Sequence, residues 1–173
     1  MIAVALKETV ETEWLQLEPL RAGRIPPGLG TPDRYVTVSD AGRPLLRIDV
    51  SHDAATCFAF EDAIVWRSNV IIGFGDYVHA VSLEQRDVVT VALGSYYGHL
   101  YPTEDYLLLA SGQCLFRMEP DRSIRWRSDV LGIDGVVVGE AGPRLIGGEG
   151  EWDPPGGWEP FTLLAENGAP AEG

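Results

Sequence analysis

The sequence is poor in the residues that build disulfide frameworks and metal sites. It has two cysteines, Cys57 and Cys114, each inside an apolar run, so we expect buried cytosolic thiols. Whether the two pair is left open, because a sequence cannot show that they approach each other. Its three histidines, His52, His79 and His99, lie far apart with no i,i+4 pair. We therefore predict no metal and no cofactor.

Basic residues are also scarce, with 13 Lys and Arg against 26 Asp and Glu, a formal net charge of −13. Phosphate binding needs a basic face, so duplex nucleic acid is an unfavourable partner, as is an anionic membrane surface. The charge is typical of a surface that keeps a protein soluble. It also fits an acidic surface that meets a basic protein.

Long apolar runs are missing as well. The apolar run at the N-terminus, residues 1–6, is too short for a signal peptide or a membrane span, and no run of about 18 apolar residues follows. We therefore expect a cytoplasmic protein. No Gly-x-Ser-x-Gly elbow, phosphate-binding Gly-rich loop or Cys-x-x-Cys motif occurs, so the sequence leans against an enzyme.

What the chain does have is glycine (20 residues), proline (12) and evenly spread β-branched and aromatic residues. This composition favours short strands joined by tight turns, and a length of 173 residues predicts one domain over 1–173. Within it we expect an N-terminal arm and loop over 1–34, a β core over 35–165 and a frayed tail over 166–173. The segment Thr9–Leu20 fits a helix and a strand about equally.

Period-two alternation predicts strands throughout the core. Tyr35–Val38 and Leu45–Val50 flank an Asp-Ala-Gly turn and predict a hairpin. The further predicted strands are Tyr77–Leu83, Val88–Leu93, Tyr106–Ala110, Gln113–Met118, Val136–Val138 and Phe161–Leu164.

A heptapeptide is used twice. Ile64–Val70 and Ile124–Val130 agree at five of seven positions and share the core Trp-Arg-Ser. A Gly-rich segment carrying an aspartate follows each copy, Gly73–Asp76 and Gly132–Gly135. Agreement beyond the heptapeptide favours shared architecture, and packing is duplicated far more often than a site is. We therefore interpret the Trp-Arg-Ser pairs as packing units of the scaffold.

The segment Tyr106–Trp126 resembles one blade of a β-propeller of the quinoprotein-like kind: strand, Gly turn, strand, acidic turn and a closing Trp. Tyr77–Leu83 resembles the middle strand of another blade. The resemblance covers about half the chain and implies an all-β fold of propeller-like antiparallel blades or a small ring. No cofactor residue carries over from it. The alternative is a β-sandwich or barrel with a duplicated hairpin.

Two aromatic segments are candidate binding loops. The first, Gly94–Pro102, lies between two predicted strands and is bounded by glycine and proline. Its candidate binding residues are Tyr96, Tyr97, His99 and Tyr101. Tyrosine offers a large contact area with a polar tip at low entropic cost. The alternative is that these rings simply cover the end of the core.

The second segment, Gly147–Pro160, combines acids and tryptophans on a stretch rich in Gly and Pro. Its candidate binding residues are Glu149, Glu151, Trp152, Asp153, Trp158 and Glu159. Carboxylates beside tryptophans suit a cationic group or a sugar. No spacing typical of a calcium loop is present, and a solvated hairpin loop is the alternative.

These features predict a non-enzymatic binding or interaction protein on a rigid β scaffold, in one version an acidic protein that masks a basic partner. A small polar ligand is a further candidate. The alternative is a small hydrolase or carbohydrate-active enzyme using loop carboxylates beside Trp152 and Trp158. A structural unit that assembles through strand edges is a third possibility, so the oligomeric state stays open.

Overall fold

The computed structural model describes residues 1–23, 30–52 and 60–171. Its elements in chain order are β1 (Ile2–Lys7), a 3-10 helix (Thr12–Gln16), β2 (Leu20–Gly23), β3 (Arg34–Asp40), β4 (Arg43–Ser51), β5 (Asp62–Trp66), β6 (Asn69–Phe74), β7 (Tyr77–Ser82), β8 (Val88–Ala92), β9 (Tyr97–Pro102), β10 (Leu107–Ser111), β11 (Leu115–Met118), β12 (Ile124–Arg127), β13 (Val136–Ala141), β14 (Leu145–Glu151) and β15 (Trp158–Leu164). No helix in these three ranges is long and apolar enough to cross a membrane.

The strands form four sheets that follow one another along the chain. The first has the order β1-β3-β4-β2, the second β5-β6-β7-β8, the third β9-β10-β11-β12 and the fourth β13-β14-β15. All neighbours are antiparallel except β2, which runs parallel to β4. The 34 N-terminal residues thus supply two strands of the first sheet, and after β15 the chain turns back to form a Leu163–Pro170 bridge.

Each sheet packs face to face on the next through a buried core. Val36 and Ile48 of the first sheet meet Val70 and Ile72 of the second. The second and third sheets enclose a core that includes Trp66, Ile71, Tyr97, Leu107 and Phe116. The third and fourth enclose one that includes Leu108, Leu115, Trp126, Ile146 and Leu163. The middle sheets are therefore buried on both faces, which explains their continuous apolar strands.

The first strands of the four sheets lie side by side, since β1 contacts β5, β5 contacts β9 and β9 contacts β13. This is a propeller-like arrangement, with blades that fan out from a shared inner edge. The predicted all-β, propeller-like fold is confirmed, and four-stranded sheets fit the blade repeat. The finer assignment to the quinoprotein-like kind stays a prediction.

Most predicted strands lie where alternation placed them. The predicted hairpin is β3 and β4, and its turn uses Ala41 and Gly42 at φ of 47° and 79°. The segment with the resemblance to a blade forms β10, β11 and β12, and β7 is a middle strand of the second sheet. The ambiguous segment from Thr9 holds only the short 3-10 helix before β2 begins.

Two predicted loops are shorter than expected, because strands occupy part of each segment. The tyrosine segment is largely β9, the inner strand of the third sheet, which pairs with β10. The acidic Trp segment is mostly β14 and the start of β15, with only residues 152–157 in the connection. Glycine and proline obscure both strands, because glycine has no side chain to reveal the alternation.

The two Trp-Arg-Ser copies lie at different positions in their sheets but have the same packing role. Trp66 ends β5, at the inner edge of its sheet, whereas Trp126 lies on β12 at the opposite edge. Both indoles are buried. Trp66 donates to the carbonyl oxygen of Thr103, directly after β9 (3.1 Å), and Trp126 donates to that of Ala165, directly after β15 (3.0 Å). Each therefore fastens one sheet to its successor, in agreement with a packing role.

Candidate functional site

A cavity of about 180 Å³ lies between the third and fourth sheets, at the end where β9 and β13 begin. It is lined by Phe60, Tyr96, Gly98, His99, Ser111, Asp134, Gly135, Val136, Val137, Glu151 and Trp158. Four of these, Tyr96, His99, Glu151 and Trp158, are candidate binding residues from the two segments that the sequence singled out separately. The fold thus brings residues more than fifty positions apart into one site.

Two glycines leave room for the aromatic rings of Tyr96 and Trp158 beside the backbone. A Cβ on Gly135 would lie 2.9 Å from the Trp158 ring, and one on Gly112 would lie 2.5 Å from the Tyr96 ring. Real Cβ atoms do not approach other atoms so closely, so any side chain at either position would displace a ring. The positions of Tyr96 and Trp158 therefore depend on these glycines.

Hydrogen bonds connect both acidic residues of the cavity to their surroundings. Tyr96 donates its hydroxyl proton to the carbonyl oxygen of Asp134 and lies 3.2 Å from Asp134 Oδ1. The main chain of Glu151 forms hydrogen bonds with the main chains of Ile133 and Gly135, so β14 continues to pair with the residues that precede β13. Its side-chain Oε1 accepts from the Gly156 amide at 2.7 Å and so anchors the connection to β15.

The cavity has aromatic walls and negative charge. The His99 ring lies 4.6 Å from that of Phe60, centroid to centroid, and Trp158 is 42% exposed. Asp134 and Glu151 are acidic, and none of the described residues that line the cavity is Lys or Arg. Aromatic faces beside uncompensated carboxylates suit a cation, which gains from both the ring quadrupoles and the charge.

The other two candidates from the tyrosine segment lie elsewhere on β9. Tyr97 is buried between the second and third sheets, with its ring against the Gly73 backbone, and burial raises the pKa of its hydroxyl. Tyr97 is thus a core residue. Tyr101 is partly buried against the fourth sheet, with its ring 6.2 Å from that of His99.

The remaining acidic and tryptophan candidates do not line the cavity. Glu149 and Glu159 are exposed on β14 and β15, and Trp152 and Asp153 are exposed in the connection between these strands.

Sequence reasoning missed several lining residues. Asp134 carried a usable signal, since it is the aspartate of the Gly-rich segment after the second heptapeptide. Phe60 and Ser111 carried none, because Phe60 precedes β5 and Ser111 ends β10, and no local pattern marks either as a neighbour of His99.

Comparison with known proteins gives no family for this chain. No family model matches it, and no curated protein does. The WD40 domain of Pan2 from Neurospora crassa is a similar solved structure, with 12% identity and a TM-score of 0.49. The similarity covers 80% of this chain and 45% of that one, so the chain spans less than half the length of that structure.

Proposed function

We propose that this protein is a non-enzymatic binding protein that takes a Lys or Arg side chain of a basic protein partner into the cavity between its third and fourth sheets. The observation that carries the proposal is the convergence of Tyr96, His99 and Trp158 with two carboxylates in a single cavity. The acidic surface of this protein would cover the basic surface of that partner, in agreement with a net charge of −13.

The size of the cavity favours a single side chain as its guest. At about 180 Å³ it is smaller than the roughly 300–1,000 Å³ of pockets that take drug-sized ligands. A guanidinium or ammonium group on a flexible stem fits such a space, with its apolar stem against Trp158 and its charge beside Glu151. The rest of the partner would then lie on the surface around the mouth.

The test is calorimetric titration with the peptide Gly-Gly-Arg-Gly-Gly, blocked at both ends, and with its citrulline analogue. Citrulline keeps the shape of arginine and removes its charge. A hydrogen bond to a charged group is worth about 1.5–3 kcal/mol, so Glu151→Gln should weaken arginine binding about tenfold or more. The matched control is Asp153→Asn, which makes the same change outside the cavity and should have little effect.

Equal binding of the arginine and citrulline peptides would overturn the proposal. So would equal losses in Glu151→Gln and Asp153→Asn, since this would trace the effect to the overall charge rather than to the cavity.

One observation favours the alternative of a small hydrolase, because Asp134 and Glu151 line the same cavity as Trp158. Paired carboxylates beside an aromatic ring are the equipment of glycoside hydrolysis. Incubation with aryl glycosides distinguishes the two functions. Turnover that Glu151→Gln abolishes would establish the hydrolase, whereas we expect none above background.

A further inference from the structure

The outer faces of the first and fourth sheets differ in how they are covered. On the outer side of the first sheet, the Arg47 guanidinium pairs with Asp49 at 2.9 Å and donates to the main-chain oxygen of Trp14 in the 3-10 helix. Trp14, Arg47 and Asp49 are all buried. This face is therefore covered by the chain itself, with its charges paired.

The outer side of the fourth sheet has no such cover among the described residues. The register places Leu145 opposite Leu164, and Glu149 between Val137 and Pro160. Leu145 is 48% and Leu164 38% exposed, whereas their strand neighbours Ile146 and Leu163 point into the core. Two partly exposed leucines thus lie side by side on this face.

A shallow groove of about 500 Å³ runs across this face, and we call it the outer groove. It is lined by Val137, Val138, Gly139, Glu140, Gly147, Gly148, Glu149 and Pro160. A Cβ built on Gly147 would meet nothing within 4 Å, so the groove is open directly above this residue. Glycine at this point makes the floor flat enough for another main chain to approach.

The charge of the outer groove selects among occupants. Its only charged lining residues in the described part of the chain are Glu140 and Glu149. A second copy is disfavoured, because each copy carries a net charge of −13 and the cations Arg34 and Arg47 of the first sheet already pair with Glu61 and Asp49. Two carboxylates beside apolar side chains instead complement a basic amphipathic segment.

We infer that the outer groove docks an extended basic segment of a protein partner, in which Lys or Arg residues alternate with small apolar ones. The inference rests on the proposed function in one respect, the basic character of the partner. Val137 lines both the cavity and the outer groove, so one partner can reach both sites. Successive side chains of an extended segment point to opposite sides, so the cationic residues face the sheet together. Their charges lie beside Glu140 and Glu149, with their aliphatic stems against Val137 and Pro160.

The test uses fluorescence anisotropy with the labelled peptide Gly-Ser-Lys-Val-Lys-Val-Lys-Ser-Gly. The variant Gly147→Leu places a side chain in the outer groove without backbone strain, since Gly147 has ordinary strand geometry and its Cβ would meet nothing within 4 Å. We expect it to weaken binding about tenfold or more. The matched control is Ala5→Leu, an exposed position on the inner strand of the first sheet, which should bind as the unchanged protein does.

A second variant tests the charge. Glu140→Gln combined with Glu149→Gln should weaken binding and also flatten its dependence on salt, because two of the attracting charges are gone. A peptide with Glu in place of each Lys should not bind. Thermal unfolding of every variant confirms that the fold is intact.

Three results would overturn the inference: Gly147→Leu binding as well as the unchanged protein, the Glu peptide binding as well as the Lys peptide, or a dimer in sedimentation that Gly147→Leu abolishes. The last would identify the occupant as a second copy. Failure of the proposed function is distinguishable, because the cavity responds to Glu151→Gln with the arginine peptide and the outer groove responds to Gly147→Leu with the lysine–valine peptide.

Discussion

The buried histidine of β7 makes the stability of the protein depend on pH in a calculable way. His79 is 1% exposed, with Nδ1 2.9 Å from the Thr90 hydroxyl. Burial, with a smaller contribution from the nearby His52, lowers the pKa of its imidazole from 6.5 to about 4. The folded protein therefore holds His79 neutral at pH values where the unfolded chain protonates it.

The sign follows from this difference. Because the folded pKa is the lower one, the stabilisation is fully present above about pH 6.5 and is lost as the pH falls towards about 4. At 1.36 kcal/mol per pKa unit, the whole effect is about 3 kcal/mol. Most of it, about 2.5 kcal/mol, falls between about pH 7.5 and pH 4.5.

Urea unfolding at these two pH values measures the loss, with His79→Asn as the variant. Asparagine keeps an amide near the position of Nδ1 and cannot titrate, so the variant should lose about 2.5 kcal/mol less between the two pH values than the unchanged protein. Thr90→Val is the control, because it leaves His79 buried and should retain most of the loss. Equal losses in the unchanged protein and His79→Asn would refute the reasoning.

Two further predictions concern the fourth sheet. A Cβ on Gly150 would overlap the carbonyl oxygen of Leu131. We therefore expect Gly150→Ala to reduce the free energy of unfolding in urea by about 1–3 kcal/mol. Gly147→Ala on the same strand is the control and should leave this free energy nearly unchanged. Replacing Glu149, Glu151 and Asp153 together with Ala should weaken association with a basic protein such as lysozyme, measured by surface plasmon resonance. The triple change should also make that association less dependent on salt. Binding that responds neither to salt nor to the triple change would contradict an electrostatic interaction.

Much of the fold could be predicted because side-chain alternation survives in most strands. The hairpin of β3 and β4 has both alternation and a turn that tolerates positive φ. In β14 the alternation disappears, since Gly147, Gly148 and Gly150 have no side chains to display it. Close contacts require glycine at two of these positions, because Gly148 lies under the Phe161 ring and Gly150 lies against the Leu131 carbonyl.

The repeated heptapeptide shows a different limit. Trp66 and Trp126 share their local sequence and their packing role, yet they lie at opposite edges of their sheets. The heptapeptide determines how a Trp closes a strand, whereas the position of that strand in its sheet depends on the hydrogen-bonding partners on either side.

The sequence predicts some residues of the candidate site but not the way they come together. Tyr96, His99, Glu151 and Trp158 stood out by composition, but their convergence depends on the packing of the third sheet against the fourth. Tyr97 looked equivalent to Tyr96 and is instead a core residue. The bulge in the pairing of β9 with β10, near Ser111, changes which faces of β9 its side chains take.

The most direct test of the binding cavity is nuclear magnetic resonance of the tryptophan indoles during titration with the blocked arginine peptide. The indoles of Trp66 and Trp126 are hydrogen-bonded in the cores and serve as internal references. We predict that the Trp158 signal shifts with saturation, that the two references stay fixed, and that Glu151→Gln suppresses the shift. A Trp158 signal that does not move, or one that moves equally with the citrulline peptide, would contradict the account.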